Sequence, residues 1–119
     1  MNVKNEVAKI LIQVGCNPSV LGYEYTKTAV AIVFENKEDW RQITKVLYPA
    51  IAKAHKTTPS KVERAIRHVM DTIYRTGDTE LLDKILPMCR RRHEKPTNAA
   101  FVAALAEYIK IQEGENDEK

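Results

Sequence analysis

The chain has 119 residues, of which 44% are hydrophobic and 29% charged, and its formal net charge is +3 at neutral pH. This length and composition fit one ordered globular domain and exclude a disordered or low-complexity chain. No apolar run approaches the roughly 18 residues that a membrane span needs, and the N-terminus lacks the apolar segment of a signal peptide, so a cytoplasmic protein without a membrane partner is expected.

Basic residues are concentrated in the middle of the chain. Residues 44–95 contain twelve Lys and Arg against six Asp and Glu, whereas the remaining residues are net acidic. A localised positive surface attracts polyanions at long range, while an evenly mixed surface mainly confers solubility. A nucleic acid is therefore the first partner to consider, and a solvated charged face is the alternative.

Helical periodicity dominates the sequence, and no segment alternates in the manner of a strand. The first predicted helix spans residues 3–14 and ends before Gly15, and a loop containing Pro18 follows. The segment from Tyr23 to Phe34 is apolar over most of its circumference, which predicts a largely buried central helix.

The third helical segment contains a proline. Its apolar residues between Trp40 and Leu47 share one face, and Pro49 interrupts the pattern. Because proline lacks an amide hydrogen and clashes with the preceding turn, either one helix kinks at Pro49 or a new helix begins there. Residues 50–56 are helical in both cases.

A strongly amphipathic helix is predicted to start within two residues of Thr58 and to run to Arg75. Thr58 can cap it with Pro59 at the first helical position, and Ser60 with Glu63 offers a competing capping box. At about 100° per residue, its core stripe consists of Val62, Ala65, Ile66, Val69, Met70 and Ile73. The opposite arc carries Ser60, Lys61, Arg64, Arg67 and His68. Because the positive end of a helix dipole repels cations, an anionic partner is the simplest reason for this arrangement.

The preceding segment completes a helix-turn-helix. Ile51 and Ala52 face inward, and a tight turn runs from His55 to Pro59. In DNA-binding proteins with this motif, the second helix enters the major groove, where arginine can donate two parallel hydrogen bonds to guanine. Lys56 occupies the turn position that is often glycine, which predicts a strained or altered turn.

The C-terminal third is predicted to contain a two-turn helix at residues 81–86, an exposed basic loop at 89–95, and a last helix that starts at Thr97 or Asn98. The domain is expected to span residues 1–112, and residues 113–119 to form an acidic, disordered tail. The predicted fold class is all-α, with about six helices and a helix-turn-helix of the winged-helix-like class without an evident wing.

Metal and catalytic sites have little support. Cys89 and His93 have the spacing of half a zinc site, with His55 or His68 as further ligands, but no second close pair of ligands is visible. A nucleophilic pair of Cys89 and His93 lacks an orienting group and an oxyanion loop. We therefore expect no metal, no cofactor and no enzymatic activity, and we expect Cys16 and Cys89 to be reduced thiols.

Three stretches carry a specific resemblance to a known family. They are LGYEYTKTAVAIVFEN, ITKVLYPAIAKAHKTTPSKVERAIRHVMDTIYRTG and KPTNAAFVAALAEYIK, in which YPAIAK, VERAIRH and KPTN follow in order. From Val7 to Ile111 the chain closely resembles the C-terminal DNA-binding domain of the sporulation master response regulator of endospore-forming bacteria. The resemblance implies a domain of about six helices that binds short promoter boxes, often as head-to-tail protomers in tandem, and regulates transcription of sporulation genes.

The resemblance also implies site residues. The positions that match the family's recognition helix are Lys61, Glu63, Arg64, Arg67 and His68, and Lys95 matches a lysine that contacts the DNA backbone. Lys61 stands where arginine is expected, and lysine lacks the planar fork of arginine, so preference at one base is expected to relax. The connection PMCRRRHE is more basic than in the family, so Arg90, Arg91 and Arg92 are expected to add phosphate contacts. Lys56 and Ser60 complete the predicted DNA-binding set.

Two further expectations concern regulation and partners. No receiver domain with a phosphate-accepting aspartate precedes the domain in this sequence, so we expect a fragment or a stand-alone form that does not respond to phosphodonors. The alternative function is a protein-interaction module, in which 76–84 and 90–92 dock on the sigma subunit of RNA polymerase or antagonise a full-length relative. The expected partners are double-stranded DNA, the sigma subunit and a second copy on DNA, with the protein at the nucleoid when bound.

Overall fold

The computed structural model describes residues 2–36, 40–76, 79–85 and 96–117 and contains no strand there. Six helices lie in these ranges: α1 (Val3–Gln13), α2 (Leu21–Glu35), α3 (Trp40–His55), α4 (Pro59–Thr76), α5 (Thr79–Ile85) and α6 (Asn98–Asp117). The predicted all-α class with about six helices is therefore confirmed. A search of the described helices finds none that is both long enough and apolar enough to span a bilayer.

The centre of the core is α2, which contacts α1, α3, α4 and α6. Ala29 and Val30 in its middle have no exposed surface, and Tyr23 and Tyr25 near its start are buried as predicted. Because neighbours surround it on several sides, α2 can be apolar over most of its circumference. The position of α2 also brings its first turn against α4.

One continuous helix passes through Pro49. The structure shows one helix rather than a new helix that begins at Pro49, since α3 runs from Trp40 to His55 with Pro49 inside it. Pro49 is exposed, whereas Leu47 and Ile51 on either side of it are buried. The ring therefore lies on the solvent face, where the helix accommodates it without losing core contacts.

A hydrogen-bonded reversal at Lys56 ends α3. The φ angle of Lys56 is 55°, in the left-handed region. The Thr57 amide donates to the Ala52 carbonyl at 2.9 Å, and the Lys56 amide donates to the Lys53 carbonyl at 3.5 Å. This pair of bonds is the Schellman pattern, whose left-handed position is usually glycine. The predicted strained turn at Lys56 is thus confirmed.

Replacing Lys56 with glycine is expected to raise the free energy of unfolding by about 1 kcal/mol. A side chain in the left-handed region costs about 1–2 kcal/mol, and the greater freedom of glycine in the unfolded chain offsets part of that gain. Urea denaturation followed by circular dichroism measures the change. The control is Lys56→Ala, which removes the same charge but keeps Cβ. Equal stability of the two variants would show that the turn is not strained.

The second helix of the motif begins where it was predicted to begin. The Thr58 Oγ1 atom accepts a hydrogen bond from the Lys61 amide at 3.3 Å, and Pro59 is the first residue of α4. At the other end of the chain, α6 continues to Asp117. Its helical backbone therefore includes most of the segment that was expected to form a disordered tail.

Candidate nucleic-acid interface

The exposed face of α4 carries the predicted cations. Its exposed residues include Ser60, Lys61, Arg64, Arg67 and His68. The opposite stripe is buried at Val62, Ile66, Val69, Met70 and Ile73, while Ala65 is half-buried. The helix thus presents to solvent the side chains that periodicity assigned to its outer arc. The last two turns of the same face contain the exposed Arg75 and the half-buried Asp71.

Two clefts divide this face lengthwise. The first, which we call the α2–α4 cleft, has a volume of about 640 Å³ and is lined by Lys61, Arg64 and His68 with the first turn of α2. The second, the α4–α6 cleft, has a volume of about 570 Å³ and contains Glu63 and Arg67. Tyr48 from α3 and the start of α6 complete its walls. The five matched positions of the recognition helix therefore belong to two different surfaces.

Glu63 and Arg67 form an ion pair one turn apart on α4. The Arg67 side chain is 62% exposed and that of Glu63 31%. An exposed pair at this spacing contributes only about 0.3–0.5 kcal/mol. Glu63 consequently orients Arg67, yet a phosphate or a base edge can replace the carboxylate at small cost.

Arg64 lies in the α2–α4 cleft, away from the Glu63–Arg67 pair. Among the residues that the structure describes, no carboxylate pairs with Arg64, Lys61 or His68. The donors of the Arg64 guanidinium therefore face solvent on the first half of the helix. This geometry suits an arginine that binds a ligand with paired acceptors, such as a guanine edge or a phosphate.

Asn98 connects this face to α6. Its Nδ2 atom donates to the Glu63 carbonyl at 2.9 Å, and the residue is only 6% exposed. The preceding Thr97 caps α6 through its Oγ1 atom, which accepts from the Ala100 amide at 3.1 Å. These bonds hold the chain that follows Lys95 beside the middle of α4. Sequence reasoning used Asn98 only as a candidate helix start, because nothing local indicates a partner 35 residues away.

Tyr48 is the other contributor to the α4–α6 cleft that sequence reasoning did not identify. It is half-buried beside the core, and burial is the main cause that raises the pKa of its hydroxyl. The phenol is therefore neutral at physiological pH and can donate a hydrogen bond. The helical spacing of apolar residues along α3 could have indicated that Tyr48 lies at the edge of the core. Pro49 interrupts that spacing.

His55 has a structural role. Its Nε2 atom lies 2.7 Å from the Thr28 Oγ1 atom, and its ring packs edge to face on Tyr25 with centroids 5.0 Å apart. Within the described ranges, no three His, Cys, Asp or Glu side chains are grouped as metal ligands; Cys89 and His93 lie outside those ranges. Cys16 is buried and free, and burial raises the pKa of its thiol.

The remaining members of the predicted DNA-binding set fall in two groups. Lys56 is exposed in the turn that leads into α4. Arg90, Arg91, Arg92 and Lys95 lie outside the described residues, so their phosphate contacts stay predictions. The same applies to the part of the protein-docking surface at 90–92.

Comparison with known protein families gives a match. The family model described as "Sporulation initiation factor Spo0A C terminal" matches residues 7–109. The matched segment covers all of α2, α3, α4 and α5 and most of α1 and α6. It therefore includes the whole helix-turn-helix and both clefts along α4.

Proposed function

The chain belongs to the family of the C-terminal domain of sporulation initiation factor Spo0A, and from this membership we propose that it is a sequence-specific DNA-binding regulator of sporulation-type genes. The family is that of the DNA-binding effector domain of a sporulation regulator, a regulatory and not a catalytic domain. In our proposal α4 enters the major groove, with the first half of its exposed face against base edges.

The observation that supports this proposal best is the pairing of the cations on α4 with carboxylates. Arg64 has no carboxylate partner in the described part of the chain, and Lys61 lies in the first turn of α4, where the helix dipole disfavours a cation. A guanine edge offers the two acceptors that a guanidinium can bind in parallel. We assign base contacts to Lys61, Glu63, Arg64 and Arg67, and backbone contacts to His68, Ser60, Lys56, Lys95 and residues 90–92.

Protein partners form the second part of the proposal. We propose that two copies bind tandem boxes head to tail, and that the sigma subunit of RNA polymerase docks on the surface around α5. The described part of that surface contains Glu80, Asp83 and Lys84, all exposed. If Arg64→Ala abolishes DNA binding but leaves binding to a sigma subunit intact, the two roles lie on separate faces.

Selection of bound sequences from random duplexes tests the main proposal. We expect enrichment of one short box, and affinity for it should fall linearly with salt on logarithmic axes, with a slope near −0.9 for each phosphate neutralised. Binding should need only the residues of this domain. Failure to enrich any box would refute sequence-specific binding.

A further inference from the structure

The α2–α4 cleft combines an apolar floor with a cationic rim. Its described lining consists of Val20, Leu21, Gly22, Tyr25, Thr57, Lys61, Arg64, Ala65 and His68. None of these residues is an Asp or Glu, and the rim cations have no ion pair among the described residues. The charge of the cleft therefore complements an anionic ligand, while its floor suits a ligand that also has apolar surface.

Leu21 is the unusual member of this lining. It is 70% exposed, more than any other large apolar residue in the described part of the chain. It is the first residue of α2, where it lies beside the exposed face of α4 and contributes little to the core. Folding alone therefore does not account for a leucine at this position.

The walls of the cleft are held at a fixed separation. A Cβ atom built on Gly22 would lie 2.3 Å from the Ala65 carbonyl oxygen and 2.4 Å from Val69 Cγ2. The backbones of α2 and α4 are thus in direct contact beneath the cleft. Its shape is consequently set by the packed core, and a ligand does not have to form it.

We propose that this cleft holds one sugar-phosphate strand of the duplex whose major groove α4 enters, with Leu21 against deoxyribose and His68 near a phosphate. This inference rests on the proposed function. A helix with its side chains is about 10–12 Å wide and the major groove is about 12 Å wide, so elements that flank the helix meet the backbone strands. A strand presents apolar sugars between charged phosphates, which is the pattern of this lining.

Charge substitutions at Leu21 test the assignment. Because a lysine there would neutralise one more phosphate, Leu21→Lys should tighten binding about fivefold and make the salt slope steeper by about one. Leu21→Asp should weaken binding about tenfold. Both changes should apply alike to the selected duplex and to a scrambled duplex of equal length, measured by fluorescence anisotropy across a salt series.

Ile111 provides the matched control. It is 53% exposed on α6 and does not line the cleft. Ile111→Lys and Ile111→Asp change the net charge equally, so they should alter affinity less than twofold. If Leu21→Asp binds DNA as Ile111→Asp does, the strand does not lie in this cleft. If the Leu21 variants instead change which box is selected, Leu21 contacts a base and the backbone assignment is wrong.

Failure of this inference can be told apart from failure of the proposed function. If Arg64→Ala lowers preference for the selected duplex while charges at Leu21 have no effect, only the strand assignment fails. If the unaltered protein prefers no duplex, both fail. Circular dichroism melting of each variant checks that the exposed substitutions leave the fold intact.

Discussion

Arg64→Ala is expected to weaken binding to the selected duplex by about 1–3 kcal/mol, or roughly 5- to 150-fold, and to reduce the preference over a scrambled duplex. The arginine fork offers two parallel donors to a guanine edge, and no described carboxylate competes for it. Arg64→Lys should recover the charge but little of the preference, because lysine cannot donate in the same planar fork. Anisotropy titrations with both duplexes measure the two quantities.

The control for Arg64 lies on the same helix. Arg75 is also exposed, and at a rise of about 1.5 Å per residue it lies about 16 Å further along α4. Arg75→Ala removes an equal charge and should change the affinity little. Lys95→Ala should weaken both duplexes alike and reduce the salt slope by about one, as expected for a phosphate contact. An equal loss on both duplexes from Arg64→Ala would contradict its role as a base reader.

Arg67→Ala should follow the same pattern as Arg64→Ala. Its guanidinium must leave Glu63 before it reaches DNA, but the pair is exposed and costs little to open. The loss for Arg67 should therefore lie in the lower part of the range given for Arg64. A loss of preference for Arg64→Ala alone would indicate that Arg67 remains paired with Glu63 in the complex.

Gly22→Ala is expected to lower the free energy of unfolding by about 3 kcal/mol, the upper end of the usual cost of overpacking. The added methyl group would overlap the Ala65 carbonyl oxygen and the Val69 side chain, and the first of these is backbone that cannot rotate away. Separation of α2 from α4 would also widen the α2–α4 cleft. Urea denaturation at constant m-value measures the loss.

Gly114 is the matched control for Gly22. It also lies in a helix, and nothing would be within 4 Å of an added Cβ atom. Gly114→Ala should raise the free energy of unfolding by about 0.5 kcal/mol, because alanine favours the helix over glycine. Equal effects of the two substitutions would show that α2 and α4 are not in contact at Gly22.

Several features of the site were predictable from local sequence. The spacing of Val62, Ile66 and Ile73 assigned the buried stripe of α4, and the cap at Thr58 marked its start. The Glu63–Arg67 pair was also within reach of such reasoning, since acidic and basic residues four apart on a helix commonly pair. Glu63 and Arg67 were predicted as separate DNA-contacting residues, whereas in the structure they form an ion pair.

Other features could not be predicted from local patterns. Whether α3 would continue through Pro49 depended on which side of the helix faced the core, and this follows from the contacts of α3 with α2 and α4. The bond from Asn98 to the Glu63 carbonyl and the position of Leu21 beside Lys61 join segments far apart in the chain. Helical periodicity carries no information about such pairs.

Sequence alone determined the helical class, the two faces of α4 and the excess of positive charge on one of them. The reason is that an α-helix has 3.6 residues per turn, so the spacing of residues in the sequence fixes which side chains share a face. Tertiary structure alone decided that Lys61, Arg64 and His68 share a cleft with Leu21 while Arg67 lies in another beside Asn98. The reason is that close contacts between helices, such as Gly22 on Ala65, set where two helices cross, and that position depends on the shape of the whole core.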